Sequence, residues 1–144
     1  MSLTLINTAQ QSLDGDYGTT INCSSTLNVQ AGDILIGLAT WLDTSTTAAI
    51  ADTGAGNSMT MLTRVTDSGS YLQFGYKLVA TANSTSTFRA TLGGGAGSKT
   101  IMVYQFRPDA GDFVELDDAD ANGATGSGTS VASASFSTAS TKEI

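Results

Sequence analysis

The residues Gly32-Asp33-Ile34-Leu35-Ile36-Gly37-Leu38-Ala39-Thr40-Trp41-Leu42 form the longest near-continuous apolar run of the chain. A membrane-crossing helix needs about 20 apolar residues in succession, so this run is too short to be one. Its β-branched and aromatic content, with a turn before it and Asp43 after it, predicts a strand buried on both faces. Such a strand is internal, and the rest of the chain is expected to cover it.

The remaining sequence supplies short β-prone runs separated by turn formers. Leu3 to Ile6 reads as a short strand, followed by a polar loop from Gln10 to Gly18 that holds Asp14-Gly15-Asp16. Thr19 to Cys23, Leu27 to Val29 and Ala48 to Ala51 are further short strands. Thr60 to Thr66 is expected to place Met61, Thr63 and Val65 on one face, and Asp67-Ser68-Gly69 is a hairpin turn.

Tyr71 to Val79 has the clearest two-residue period, with Leu72, Phe74, Tyr76 and Leu78 on one face and Tyr71, Gln73, Gly75 and Lys77 on the other. The apolar face is expected to point inward. Asn83-Ser84 turns the chain, and Thr85 to Leu92 alternates with Phe88, Ala90 and Leu92 inward. Gly93 to Ser98 reads as a hairpin connection, and Lys99 to Phe106 as a strand ended at Arg107-Pro108-Asp109. Val114 to Leu116 is a brief strand, Asp117 to Thr129 an acidic glycine-rich loop, and Ser130 to Phe136 alternates once more. Ser140 to Ile144 looks like the start of another strand, so the chain is expected to continue or to complete its sheet with another chain.

No window carries a capped helical period. The pattern predicts an all-β fold, an antiparallel β-sandwich of jelly-roll-like form, as a single domain over residues 1–144. Its expected core is Ile34, Ile36, Leu38, Leu72, Phe74, Tyr76, Leu78, Phe88, Ile101 and Val103, so that Ile36→Asp would bury an unpaired charge and unfold the chain.

Composition narrows the chemistry. The chain has no histidine and one cysteine, Cys23, which removes imidazole bases, Ser-His-Asp triads, cysteine-rich metal sites and an intrachain disulfide. Cys23 has no basic neighbour in sequence and reads as a small buried hydrophobe. Formal charge is -7, and the six basic residues Arg64, Lys77, Arg89, Lys99, Arg107 and Lys142 are scattered. That leaves no footprint for nucleic acid or a membrane surface. No basic segment followed by an apolar one opens the chain, so it is expected to be made in the cytoplasm or to be a processed or excised piece.

Several motifs stop short of a site. Asp118-Ala119-Asp120-Ala121-Asn122-Gly123 matches the first half of a calcium loop, with Asp118, Asp120 and Asn122 as oxygen ligands, but its twelfth position is Thr129 where a bidentate Glu belongs. Gly97-Ser98-Lys99-Thr100 breaks the phosphate-loop spacing and leads into a strand. The acids Asp109, Asp112, Glu115, Asp117, Asp118 and Asp120 crowd one segment, whereas a glycosidase sets its two carboxyls across a pocket. Among the aromatics, Trp41 and Tyr76 read as core, and Tyr71 as the outward candidate for a sugar platform. No enzyme is expected.

Val29-Gln30-Ala31-Gly32-Asp33-Ile34-Leu35-Ile36, Leu62-Thr63-Arg64, Leu72-Gln73-Phe74-Gly75-Tyr76-Lys77-Leu78-Val79-Ala80 and Met102-Val103-Tyr104-Gln105-Phe106 occur in that order. In this the chain resembles a group of phage and bacterial β-sandwich domains with an AGD turn before an apolar strand, then LxR, YYKVA and YRG strands. The likeness spans about residues 27 to 140. It departs at Asn57-Ser58-Met59, at Gly75 where a second tyrosine is usual, and at Gln105-Phe106 in place of Arg-Gly. Many such domains occur in virion proteins, so the resemblance implies a phage structural protein, a capsid decoration or a head or tail fibre domain, made in the host cytoplasm and carried on the virion surface. Its implied partners are other virion proteins and further copies of itself, in a trimer or another ring joined near Leu3 to Ile6 or Lys142 to Ile144. The alternative is a carbohydrate-binding module with a glycan partner. The resemblance supplies no catalytic residues.

Overall fold

The computed structural model describes residues 3–43, 46–54 and 56–110. Among these the regular elements are strands: β1 (Leu3–Asp14), β2 (Thr20–Asn22), β3 (Leu27–Val29), β4 (Ile34–Leu42), β5 (Ala48–Asp52), β6 (Thr60–Met61), β7 (Val65–Asp67), β8 (Ser70–Leu78), β9 (Asn83–Ser86), β10 (Phe88–Leu92) and β11 (Ser98–Pro108). The expected strands at Val114–Leu116 and Ser130–Phe136, the loop Asp117–Thr129, the tail Ser140–Ile144 and the calcium candidates Asp118, Asp120 and Asn122 lie outside the described residues.

The strands form an all-β antiparallel sandwich. One layer is a six-stranded sheet in the order β1-β11-β4-β8-β6, with β7 also paired to β8. The other layer comprises a three-stranded sheet, β2-β10-β5, and a two-stranded sheet, β3-β9. Leu35, Ala39, Trp41, Ile101 and Val103 from the large sheet meet Ile21, Leu27, Val29, Ile50, Phe88, Ala90 and Leu92 from the smaller ones in one core cluster. As the sequence implies, β4 is internal, flanked by β11 and β8.

Local chemistry accounts for the turns. Ser68 and Gly69 have φ of 46° and 85° between the paired residues Asp67 and Ser70, the two-residue loop whose twist matches that of the flanking strands. Gly32, at φ 91°, lets the chain reverse into β4.

Several expectations are corrected. β1 runs through Asp14 where a loop was expected, because β11 is long enough to pair it from Leu3↔Pro108 to Asp14↔Ser98. The segment expected as one strand over Thr60–Thr66 divides: Met61 pairs Gly75 and Val65 pairs Leu72, so these two residues point to opposite faces. Asn83-Ser84 belongs to β9 and is not a turn. Gly93 to Ser98 joins strands of different layers and is therefore a crossover, not a hairpin.

The largest correction concerns β8. Its buried face carries Gln73 and Gly75, while Leu72 and Tyr76 are half-buried and Phe74 and Leu78 are exposed. On β4 the buried set is Leu35, Gly37, Ala39 and Trp41, with Ile34 and Leu38 half-buried and Ile36 exposed. Of the expected core, only Phe88, Ile101 and Val103 are fully buried. The cause is steric and polar together. Gly37 and Gly75 are cross-strand partners, and their missing side chains leave a notch that Met59 and Met61 fill. A Cβ on Gly75 would lie 2.6 Å from Met61 Sδ and 3.2 Å from the Thr60 carbonyl oxygen. Beside the notch, Gln73 is buried without cost to its amide: its Oε1 accepts from Ala48 N at 2.8 Å and its Nε2 donates to the Leu62 carbonyl at 2.8 Å.

Candidate functional site

Paired residues in antiparallel strands share a face, so the register defines the outer surface of the large sheet row by row. The first row is Leu5, Phe106, Ile34 and Leu78, and the second is Thr8, Tyr104, Ile36, Tyr76 and Thr60. The third row is Gln10, Met102, Leu38 and Phe74, and the fourth is Ser12, Thr100, Thr40, Leu72 and Val65. These four rows contain no Asp, Glu, Lys or Arg. Acids enter only at the end of the face, where Asp14 pairs Ser98 and Asp67 pairs Ser70.

Side chains here are partly shielded by neighbours on adjacent strands, yet Leu5 remains 51%, Ile36 39%, Phe74 42% and Leu78 51% accessible. Among the described residues nothing packs over them. Large contiguous apolar patches are uncommon on soluble monomers and mark surfaces that are covered by something else. β4 itself is largely apolar on both faces, with Leu35, Ala39 and Trp41 on one and Ile34, Ile36 and Leu38 on the other. Among the described residues the sandwich covers one of these faces.

Two charged clusters lie apart from this face. Asp33, in the Ala31-Gly32-Asp33 turn, is 1% exposed and receives Arg107 in a bidentate pair, Nε to Oδ1 at 2.6 Å and Nη2 to Oδ2 at 2.8 Å. Gln30 N–H and Gln105 Nε2 also donate to Oδ2, at 2.7 and 2.6 Å, and Gln105 Nε2 donates in addition to the Asn28 carbonyl. Burial by itself pushes the Asp33 carboxyl up, but the Arg107 guanidinium and the two amide donors outweigh it and hold the carboxyl below its usual range. The same pair raises Arg107. This arrangement joins the turn before β4 to the end of β11, and both Asp33 oxygens are hydrogen-bonded within it, while Gln105 Oε1 is buried without a partner among the described residues. It acts as a clamp between these two elements.

Lys99 is likewise buried. Its Nζ donates to the carbonyls of Asp16, Gly18 and Ala96 and lies 3.3 Å from the Asp16 carboxylate. Asp16 is lowered first by the Gly18 N–H and then by Lys99. The ammonium closes the loop between β1 and β2 over the start of β11, and no phosphate-loop geometry is present, since a strand follows Ser98.

Tyr71 does not present an open platform. It shares the inner side with Trp41, stacked at a 5.6 Å centroid distance and 16° between planes, and Arg64 lies over its ring at 4.8 Å. Tyr76, expected in the core, is half-buried on the outer face, whereas Trp41 is in the core as expected. Cys23 is buried, and desolvation pushes its thiol up to about 11. Among the described residues no group of three or more His, Cys, Asp and Glu side chains is placed to hold a metal ion.

No family model, curated protein or solved structure matches this chain.

Proposed function

We propose that the chain is a structural assembly module, with no catalytic role, that works by burying the outer face of its large sheet against protein. The observation that carries the reading is the uncharged, largely apolar surface of β11, β4 and β8, bordered by Thr8, Gln10 and Ser12 of β1, on a chain whose formal charge is -7. A ligand recognised by charge finds few handles on it. An apolar protein surface of similar size gains from covering it.

The setting we infer is the exterior of a phage particle, as a capsid decoration or a head or tail fibre domain assembled in the host cytoplasm. The resemblance in the turn at Ala31-Gly32-Asp33 and in the strands that follow supports this, and so does an acidic surface that packaged DNA would repel. Antibodies against the chain should label the outside of purified virions in electron micrographs. Recovery of the chain only from the soluble fraction of lysed cells, with none on particles, would refute the virion setting.

A further inference from the structure

We propose that the outer face of the large sheet is closed by the same face of a second copy of this chain, the two sheets packed face to face about a two-fold axis that runs across the strands. This rests on the assembly reading above and names its first partner.

Area permits it. Nine residues of β4 at about 3.3 Å each give a length of about 30 Å, and four strands at about 4.8 Å give a width of about 19 Å. The footprint is therefore about 570 Å² per copy and about 1,100 Å² for the pair, just below the usual range of stable interfaces and above the roughly 1,000 Å² a biological contact needs.

Charge selects this approach over others. Two copies of an acidic chain repel, but the four central rows of this face bring no charge into the contact. An axis along the strands would set Asp14 and Asp67 of one copy at the same end as the acids of the other. An axis across the strands reverses the rows and keeps those acids at opposite ends.

Shape points to the same axis. Reversal lays the bulky first row, Leu5, Phe106, Ile34 and Leu78, over the smaller fourth row, Ser12, Thr100, Thr40 and Leu72. The second row then meets the third, so that Ile36 faces Leu38 of the second copy, Tyr76 faces Phe74, and Tyr104 faces Met102. Over Ser12, Thr100 and Thr40 large side chains meet small ones and can interlock, while in the two central rows large side chains meet large ones and supply the apolar contact.

The test is sedimentation of the full chain with two single variants. The wild type should sediment as a dimer at micromolar concentration, and Ile36→Lys and Leu38→Glu should each dissociate about 30-fold more readily, as expected for central anchors. Mixing the two variants should restore a dimer, since the ammonium introduced in one copy then meets the carboxylate introduced in the other. A dimer indifferent to both substitutions, or failure of the mixture to reassociate, overturns the geometry. Hydroxyl-radical oxidation of wild type reports independently of any variant, with Phe74, Tyr76, Met102 and Tyr104 protected in the dimer. A monomer in which these side chains oxidise freely overturns self-pairing but leaves the face open to another protein, so the assembly reading stands. A monomer in which they are protected overturns both, because the chain would then close its own face.

Discussion

Replacing Arg107 with Met should cost about 2–3 kcal/mol of folding free energy, because it leaves a carboxylate in the interior with half of its partners. Met keeps much of the apolar stem of Arg and removes the guanidinium. Asp33, 1% exposed, would retain Gln30 N–H at 2.7 Å and Gln105 Nε2 at 2.6 Å and lose the bonds at 2.6 and 2.8 Å. Breaking a buried pair from one side typically costs about 3–5 kcal/mol. Here the Arg107 side chain is 33% exposed, so water relieves part of the loss, which sets the lower figure. A fall in melting temperature of about 8 °C is the thermal equivalent for a chain of this size.

The acid response separates this account from simple loss of packing. Asp33 is depressed in the folded chain, so its contribution is present above the unfolded value of about 4 and disappears as pH falls through the folded value. Without Arg107 the folded value moves up, and the acid transition should shift to higher pH. Urea denaturation from neutral pH down through the acid transition, read on wild type, Arg107→Met, Asp33→Asn and the double variant, gives both quantities. The double variant should recover much of the single Arg107→Met loss, since no buried charge is then stranded. A loss below about 0.5 kcal/mol for Arg107→Met, a size usual for ordinary surface changes, would refute the clamp.

Neighbouring residues on β4 should behave oppositely: Leu35→Ala, in the core, should cost about 2–5 kcal/mol, whereas Ile36→Asp should cost about 1 kcal/mol or less by chemical denaturation of dilute protein. The Cys23 thiol, pushed up to about 11 by burial, should be inert to a thiol-specific reagent at mildly alkaline pH in the native chain and react once urea exposes it.

What the sequence determined was local. Alternation and turn chemistry placed β2, β3, β4, β5, β8, β10 and β11 within a few residues of their observed ends, because side-chain period and residues such as Ser68-Gly69 act over a few positions. It also showed that β4 is internal and that Phe88, Ala90 and Leu92 face inward. The period of β8 showed equally well which residues share a face. Which of its faces is inside was decided by distant parts of the chain: by Met59 and Met61 filling the notch at Gly37 and Gly75, and by Ala48 N–H and the Leu62 carbonyl satisfying Gln73. The candidate face was hidden for the same reason, since an apolar row looks alike whether it is covered by its own chain or by another. Asp33 and Arg107 stand 74 residues apart, and no local pattern announces their pairing. Residue type and spacing fix what a segment can bury. Only the tertiary arrangement fixes what it is buried against, because that depends on shape and hydrogen-bond partners brought from elsewhere in the chain.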